Sequence, residues 1–460
     1  MTKNYPRLPY MSCEIFCCEI PELLHYLAED ENDRLLHKLF TILDSSEPLD
    51  NYLAGYFEKI LEMFFRRLTA PVMRLLNDES TSVQLLGKFL NHIDNYSVMQ
   101  VVQRLLLPHI PFTMGSTDTG PAAAAASSIE PQPSEERDFL SCGWSYLPAT
   151  CHQLCQRMLQ PAANPDVPAH VSDLLITVLQ LSPPDALFLA HLCEPECVSA
   201  LVTAAFVAGS EEVVGLTETP SPTAAISLAA ISVLESLVSK LCEGMGTADA
   251  NGEGANPEQL ALSQAVVSSS TESLVSLLIP SLPLISSQLK GLGEQAAQHT
   301  IFIQDKRSVP RLGHRGLQLV KLLESLVRID VPAVDAAVIS SGALLACIDL
   351  MFVFEMNSLL HLAVQRIVVM IIEGGAAKLP ALEYLLKESN LLPRIISVVR
   401  SLDNKDQQQQ QRAHTKLRSP VTGHLIHMAQ TIHAIVSPSS AGKEGEEKTE
   451  SGSYRYDISI

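Results

Sequence analysis

Basic residues are what this chain has too few of. Its 460 residues hold 32 Lys and Arg against 51 Asp and Glu, a formal charge of −19. A protein that tracks a phosphate backbone needs a basic face, so nucleic acid is not an expected partner. An anionic membrane surface is disfavoured for the same reason. Aromatic residues are also scarce, at 5% with a single Trp, while apolar residues overall reach 47%. Leu, Ala, Val and Ile must then build the core, which is the composition of stacked helices. Alternating apolar and polar residues, the mark of strands, are nearly absent, which argues against a sandwich or barrel. The length exceeds what one hydrophobic core serves, so two or three domains or an elongated repeat array are expected.

The opening MTKNYPRLPY lacks the apolar stretch of a secretory signal. The longest charge-free apolar run near spanning length, SLVSLLIPSLPLISSQL at 273–289, contains Pro280 and Pro283. A buried helix pair broken at the prolines fits it better than a membrane span. A soluble cytoplasmic protein is expected, with a nuclear pool compatible. Its ten cysteines would then be reduced thiols, buried by default. Asn95-Tyr96-Ser97 matches a glycosylation sequon, read as coincidence in a chain without a secretory route.

Helical periodicity runs through most of the chain. Leu35, Leu36, Leu39, Phe40 and Leu43 form one apolar stripe, and Leu53, Phe57, Ile60, Leu61, Phe64 and Leu68 form a second. Breaks of a few residues separate the helices, as between antiparallel neighbours. Residues 1–112 read as N-terminal helical repeats, 113–137 as a disordered linker, and 138–242 as middle repeats. A second low-complexity linker at 243–259 precedes C-terminal repeats at 260–403. A polar spacer at 404–420, a final helix at 421–436 and a disordered tail at 437–460 complete the order. No strict repeat is found, but the grain of helix pairs every 30–45 residues predicts an all-α, HEAT/armadillo-like solenoid. In NSLLHLAVQRIVVMII the apolar character is nearly continuous, so this helix is expected to be covered on more than one side.

Chemistry-bearing motifs are missing. There is no G-x-x-x-x-G-K-S/T phosphate loop, no H-E-x-x-H, no G-x-S-x-G elbow, and no Gly-Asp-x-His metal loop of a serine/threonine phosphatase. A non-catalytic binding protein without cofactor or metal is expected. Cys13, Cys17 and Cys18 fall on one side of a helix and read as buried thiols, since no second ligand pair follows nearby. Cys151, Cys155, Cys193 and Cys197 form two i, i+4 pairs. They could make a tetrahedral zinc site between two helices, although i, i+4 is also the spacing of any helix core face. His424, His427 and His433 share the final helix without a carboxylate to complete a hydrolytic site, and read as a surface or interface face. The clearest basic cluster is Arg311, His314 and Arg315, in SVPRLGHRGLQL. Cations at a helix N-terminus oppose the macrodipole. They mark either a solvated helix start or a fork presented to an acidic loop of a partner.

Several stretches together resemble the SAPS family, the regulatory subunits of the type 6 serine/threonine phosphatase. YPRLPYMSCEIFCCEIPELL is similar to that family's "YP-x-x-SCE" segment, and LLHKLFTIL and PLDNYLAGYFEKILEMFF to the helices that follow it. PRLGHRGLQLVKLLESLV is similar to the "PPLG-x-x-RL" block, with Gly313 and Arg315 in matching places and His314 where Asn is common. NSLLHLAVQRIVVMII and VTGHLIHMAQTI resemble later blocks, in the same order; residues 113–307 agree only loosely. Family members have a further helical stretch ahead of the YP segment, which here nearly opens the chain, so a truncated or mispredicted gene product is expected. The resemblance implies a scaffold that binds the phosphatase 6 catalytic subunit and directs it to substrates, with ankyrin-repeat proteins as further partners. The partner-binding candidates are Tyr5, Pro6, Arg311, Gly313, His314 and Arg315. A generic armadillo-type scaffold for transport or vesicle docking, and a zinc-binding protein built on the four cysteines, are the alternatives.

Overall fold

The computed structural model describes residues 7–28, 34–67, 72, 79–107, 148–161, 164, 166–183, 186–206, 221–246, 257–304, 306–398, 400 and 420–436. Nineteen α-helices and one two-stranded hairpin lie among them. The chain is all-α with helices in solenoid-like pairs, and it divides into two compact units, residues 1–200 and 201–460. The expected linker at 113–137, residues 247–256 of the one at 243–259, residues 404–419 of the spacer at 404–420 and the tail at 437–460 fall outside the described residues, while 243–246 and 257–259 at the ends of the second linker are helical.

The first unit begins with α1 (Arg7–Cys17), α2 (Pro21–Ala28), α3 (Arg34–Phe40) and α4 (Asn51–Arg67). Next are α5 (Glu79–Asn91), α6 (Tyr96–Leu106), α7 (Pro148–Leu159), α8 (Asp166–Leu181), α9 (Leu187–Leu192) and the start of α10 (Pro195–Phe206). Alternate helices stack. One layer runs α1, α4, α6, α8, the other α5, α7, α9, and the α5–α6 and α7–α8 pairs join them. Burying a Leu or Phe side chain contributes about 1.5–3 kcal/mol. The i, i+4 stripe of α4 spends Phe57, Leu61 and Phe64 this way, while Leu53 at its end stays exposed. Phe40, Phe57 and Phe89 meet at centroid distances of 5.9–6.2 Å, the aromatic centre of this unit. The sequon asparagine is a helix cap. Asn95 Oδ1 accepts the Ser97 N–H at 3.0 Å and opens α6, and its Nδ2 donates to Asn51 Oδ1.

The second unit holds α11 (Pro222–Gly246), α12 (Pro257–Leu278), α13 (Leu282–Glu294), strands β1 (Thr300–Phe302) and β2 (Ser308–Pro310), and α14 (Gly313–Arg328). Then come α15 (Pro332–Ser341), α16 (Ala343–Val353), α17 (Ser358–Glu373), α18 (Leu379–Lys387) and α19 (Val421–Val436). Helices α11, α14, α17 and α19 stack in one layer and α13, α15, α16 and α18 in the other. As its apolar run requires, α17 packs against α14, α16, α18 and α19 and buries eight side chains. Gly342, at φ +73°, ends α15 and starts α16 in one residue, a left-handed position where a Cβ is costly. The expected break near Pro280 is a short 3-10 turn at Ile279–Ser281 between α12 and α13. Pro222–Met245 and Ser263–Glu294 are long and apolar enough to cross a membrane by length and composition. Within the fold, Leu234, Leu237, Val238 and Leu241 of the first, and Leu274, Leu278, Ile285 and Leu289 of the second, are buried among other helices.

One expectation is corrected. Cys13 is buried, but Cys17 and Cys18 are exposed. α1 meets α4 along a single seam, where Cys13 Sγ reaches Tyr56 O at 3.8 Å, and α1 ends at Cys17. Burial pushes the Cys13 thiol up to about 11. Strands are nearly absent among the described residues, as expected, the one sheet being the hairpin at 300–310, whose β1 is exposed throughout.

Candidate partner-binding surface

α14 starts without a side-chain cap or a first-turn acid, and Gly313 takes φ +77° to turn the chain out of the hairpin into the helix. Arg311 is exposed, and its backbone N–H donates to His299 O at 2.8 Å, extending the hairpin ladder by one pair. His314 is exposed and accepts from Gln318 Nε2 at 3.2 Å.

Arg315 behaves differently. Its guanidinium turns inward and donates to Ala205 O at 3.2 Å, Ser227 Oγ at 3.2 Å and Gln288 Oε1 at 3.0 Å. Burial lowers its pKa, as desolvation does to any cation. Ser227 Oγ also donates to Ala205 O, and Gln288 Nε2 donates to Phe206 O at 3.1 Å. Three side chains thus satisfy the last carbonyls of α10, and a cation at that C-terminus is favoured by the dipole. The misplaced charge at the start of α14 is explained by the end of another helix. The outward-facing part of the cluster is therefore Arg311 and His314, while Tyr5 and Pro6 lie outside the described residues.

Sequence reasoning missed a second internal cation. Lys378 is 3% exposed, and its Nζ lies 2.8 Å from both Asp335 carboxylate oxygens, 2.7 Å from Val327 O and 3.2 Å from Asp330 Oδ1. Burial raises the Asp335 pKa and the Lys378 ammonium pulls against that rise. One α-helical pitch carries no signal for such a pair, because the partners lie 43 residues apart.

The four cysteines of the zinc reading come from α7 and from the start of α10 and the residue before its cap. Cys151 Sγ donates to Phe188 O at 3.6 Å. Cys155 donates to Cys197, which raises the first thiol's pKa and lowers the second's. Among the described residues no group of three or more His, Cys, Asp or Glu is placed to hold a metal. His361, fully buried, stacks edge-on with His424 at 5.6 Å and shares the α17–α19 seam with the His424–Gln365 hydrogen bond. A notch lined by His37, Phe40, Asp44 and Lys88 has a volume of about 80 Å³. That is well below the roughly 300 Å³ at which small-molecule sites begin.

Among the described residues, the layered helix pairs define an all-α, solenoid-like protein. Residues 334–446 match the family model of the SAPS proteins, described as SIT4 phosphatase-associated protein, and the resemblance read from the sequence is thereby shown. The chain is 22% identical over 451 residues to the human serine/threonine-protein phosphatase 6 regulatory subunit 1, covering 96% of this chain and 47% of that protein. It is 20% identical over 449 residues to regulatory subunit 3-B of Xenopus laevis, covering 94% and 46%. Over 179 residues it is 26% identical to the fission yeast extragenic suppressor of kinetochore protein 1, covering 39% and 18%. The chain thus spans about half the length of the first two relatives. No solved structure matches.

Proposed function

We propose that this chain is a non-catalytic regulatory subunit that binds the catalytic subunit of a type 6 serine/threonine phosphatase in the cytoplasm and tethers it near substrates. The observation that carries this reading is the extent of the similarity: proteins named as regulatory subunits of that phosphatase align with 94–96% of the chain. A solenoid of helix pairs suits the role, because it presents long surfaces without needing a catalytic pocket. Ankyrin-repeat proteins are further candidates for the same scaffold. Arg311, Gly313 and His314 are the face we assign to partner contact, with Arg315 holding that face from beneath.

The test mixes the purified, tagged chain with the purified phosphatase 6 catalytic subunit and separates the two by size. Co-elution at one to one is expected, with a labelled phosphatase dissociation constant weakened at least tenfold by Arg311→Glu. Separate elution of the two proteins overturns the reading. Co-elution unaffected by Arg311→Glu would remove that surface from it.

A further inference from the structure

The hairpin at 300–310 stands apart from the helices in what it exposes. Its strands pair as Thr300 with Pro310, Ile301 with Val309 and Phe302 with Ser308. Arg311 N–H donates to His299 O, and Ile303 N–H to Arg307 O. In an antiparallel ladder, hydrogen-bonded and non-hydrogen-bonded pairs alternate. With pairs 299–311 and 303–307 bonded, Ile301–Val309 is bonded too, and the N–H and C=O of Thr300 and Phe302 point away from β2. The same geometry turns Ser308 and Pro310 outward on the other edge, but Pro310 has no N–H to give. One edge is blunted and the other is left open, on a strand exposed at all three residues.

The side chains around the open edge say what it fits. Phe302 is 83% exposed and Ile301 42%, a large apolar pair held in water on the two faces of one strand. Exposed Lys306 sits in the turn at one end, at φ +65°, and exposed Arg311 at the base. Within residues 300–311 the basic side chains are Lys306, Arg307 and Arg311 against the single acid Asp305, in a chain whose formal charge is −19. We infer that the Thr300–Phe302 edge adds an extended segment of a partner protein as a third strand, apolar at its centre and acidic at both ends. Main-chain bonds to Thr300 and Phe302 would supply the register, Phe302 the apolar contact, and Lys306 and Arg311 the charge selection. This rests on reading the 299–318 surface as partner-facing; it does not depend on which protein the partner is.

The probe is a fluorescein-labelled peptide, Glu-Val-Thr-Val-Glu, titrated with the full chain and followed by anisotropy. Saturable binding is expected, weakened at least tenfold by Lys306→Glu with Arg311→Glu. Phe302→Pro, which removes an outward N–H the hairpin itself does not use, should abolish it, while Ser308→Pro on the blunted edge leaves it unchanged. Methylating the backbone nitrogens on one face of the probe should abolish binding, and on the other face should not, a contrast that needs no protein variant. The inference is overturned by absence of saturable binding, by equal binding of a Lys-Val-Thr-Val-Lys probe, or by indifference to the charge reversals. Failure of the phosphatase to co-elute would leave these results as they are, since the probe contains no phosphatase.

Discussion

The two units fill their interiors with different chemistry. In residues 1–200 the described core is aliphatic side chains, the Phe40–Phe57–Phe89 cluster and the thiols of Cys13, Cys151, Cys155, Cys193 and Cys197; its buried polar side chains are His92 and a few hydroxyls. In residues 201–460 Glu324, Asp335, Lys378 and His361 are buried outright, and Arg315 is drawn inward onto Ala205 O, Ser227 and Gln288. A neutral core is held by shape, so it answers to lost volume. A core with internal charges is held by matched partners, so it answers to the removal of one of a pair.

That contrast can be broken by substitution. Phe89→Ala should cost about 4 kcal/mol, because it empties the centre of the ring cluster. Deuterium uptake should rise in peptides from α3 to α6, and an unchanged urea midpoint would show that the cluster is not what holds the unit. Lys378→Met should cost about 3 kcal/mol by stranding the Asp335 carboxylate, and adding Asp335→Leu should recover most of that loss. If the double variant is as unstable as the single, packing rather than charge pairing matters there. Arg315→Met should cost about 2 kcal/mol by leaving Ala205 O and Gln288 short of donors, with uptake rising first at the end of α10. Equal uptake at that end would mean Ser227 and Gln288 suffice.

The smallest effect concerns pH. Burial lowers the pKa of both His361 and His424 from the usual 6.5. A depressed pKa means that the unfolded chain binds the proton more readily than the folded one. The stability these residues contribute is therefore complete above pH 6.5 and is lost as pH falls through the lower folded values. Amides of α19 should exchange faster at pH 5.5 than at 7.5, after correction for intrinsic rates, more than those of α8 in the first unit. Repulsion from His427 is the smaller cause of the His424 depression, after burial.

Much of this architecture was legible because helix-face periodicity is local. Leu319, Leu322, Leu323 and Leu326 lie on one stripe and all are buried, and the final helix starts and ends where its apolar run does. Errors came at element ends. Leu35 and Leu53 belong to their stripes by spacing, but each stays 41% exposed. Cys17 and Cys18 failed in the same way. The hairpin left only a faint trace, Ile301, Ile303 and Val309 around a turn, too short for an alternation pattern to register. The inward turn of Arg315 was illegible for a different reason, since its acceptors are set by packing among α10, α11 and α13, at separations of 27 to 110 residues.

That last separation has a consequence in time. When α10 leaves a ribosome its final carbonyls have no cation to meet, because Arg315 is encoded 110 residues later. At about 5–20 residues per second, the end of the helix waits on the order of ten seconds for its partner. During synthesis the second unit therefore cannot close from its beginning forward, and the end of α10 is completed only once the first turn of α14 has emerged.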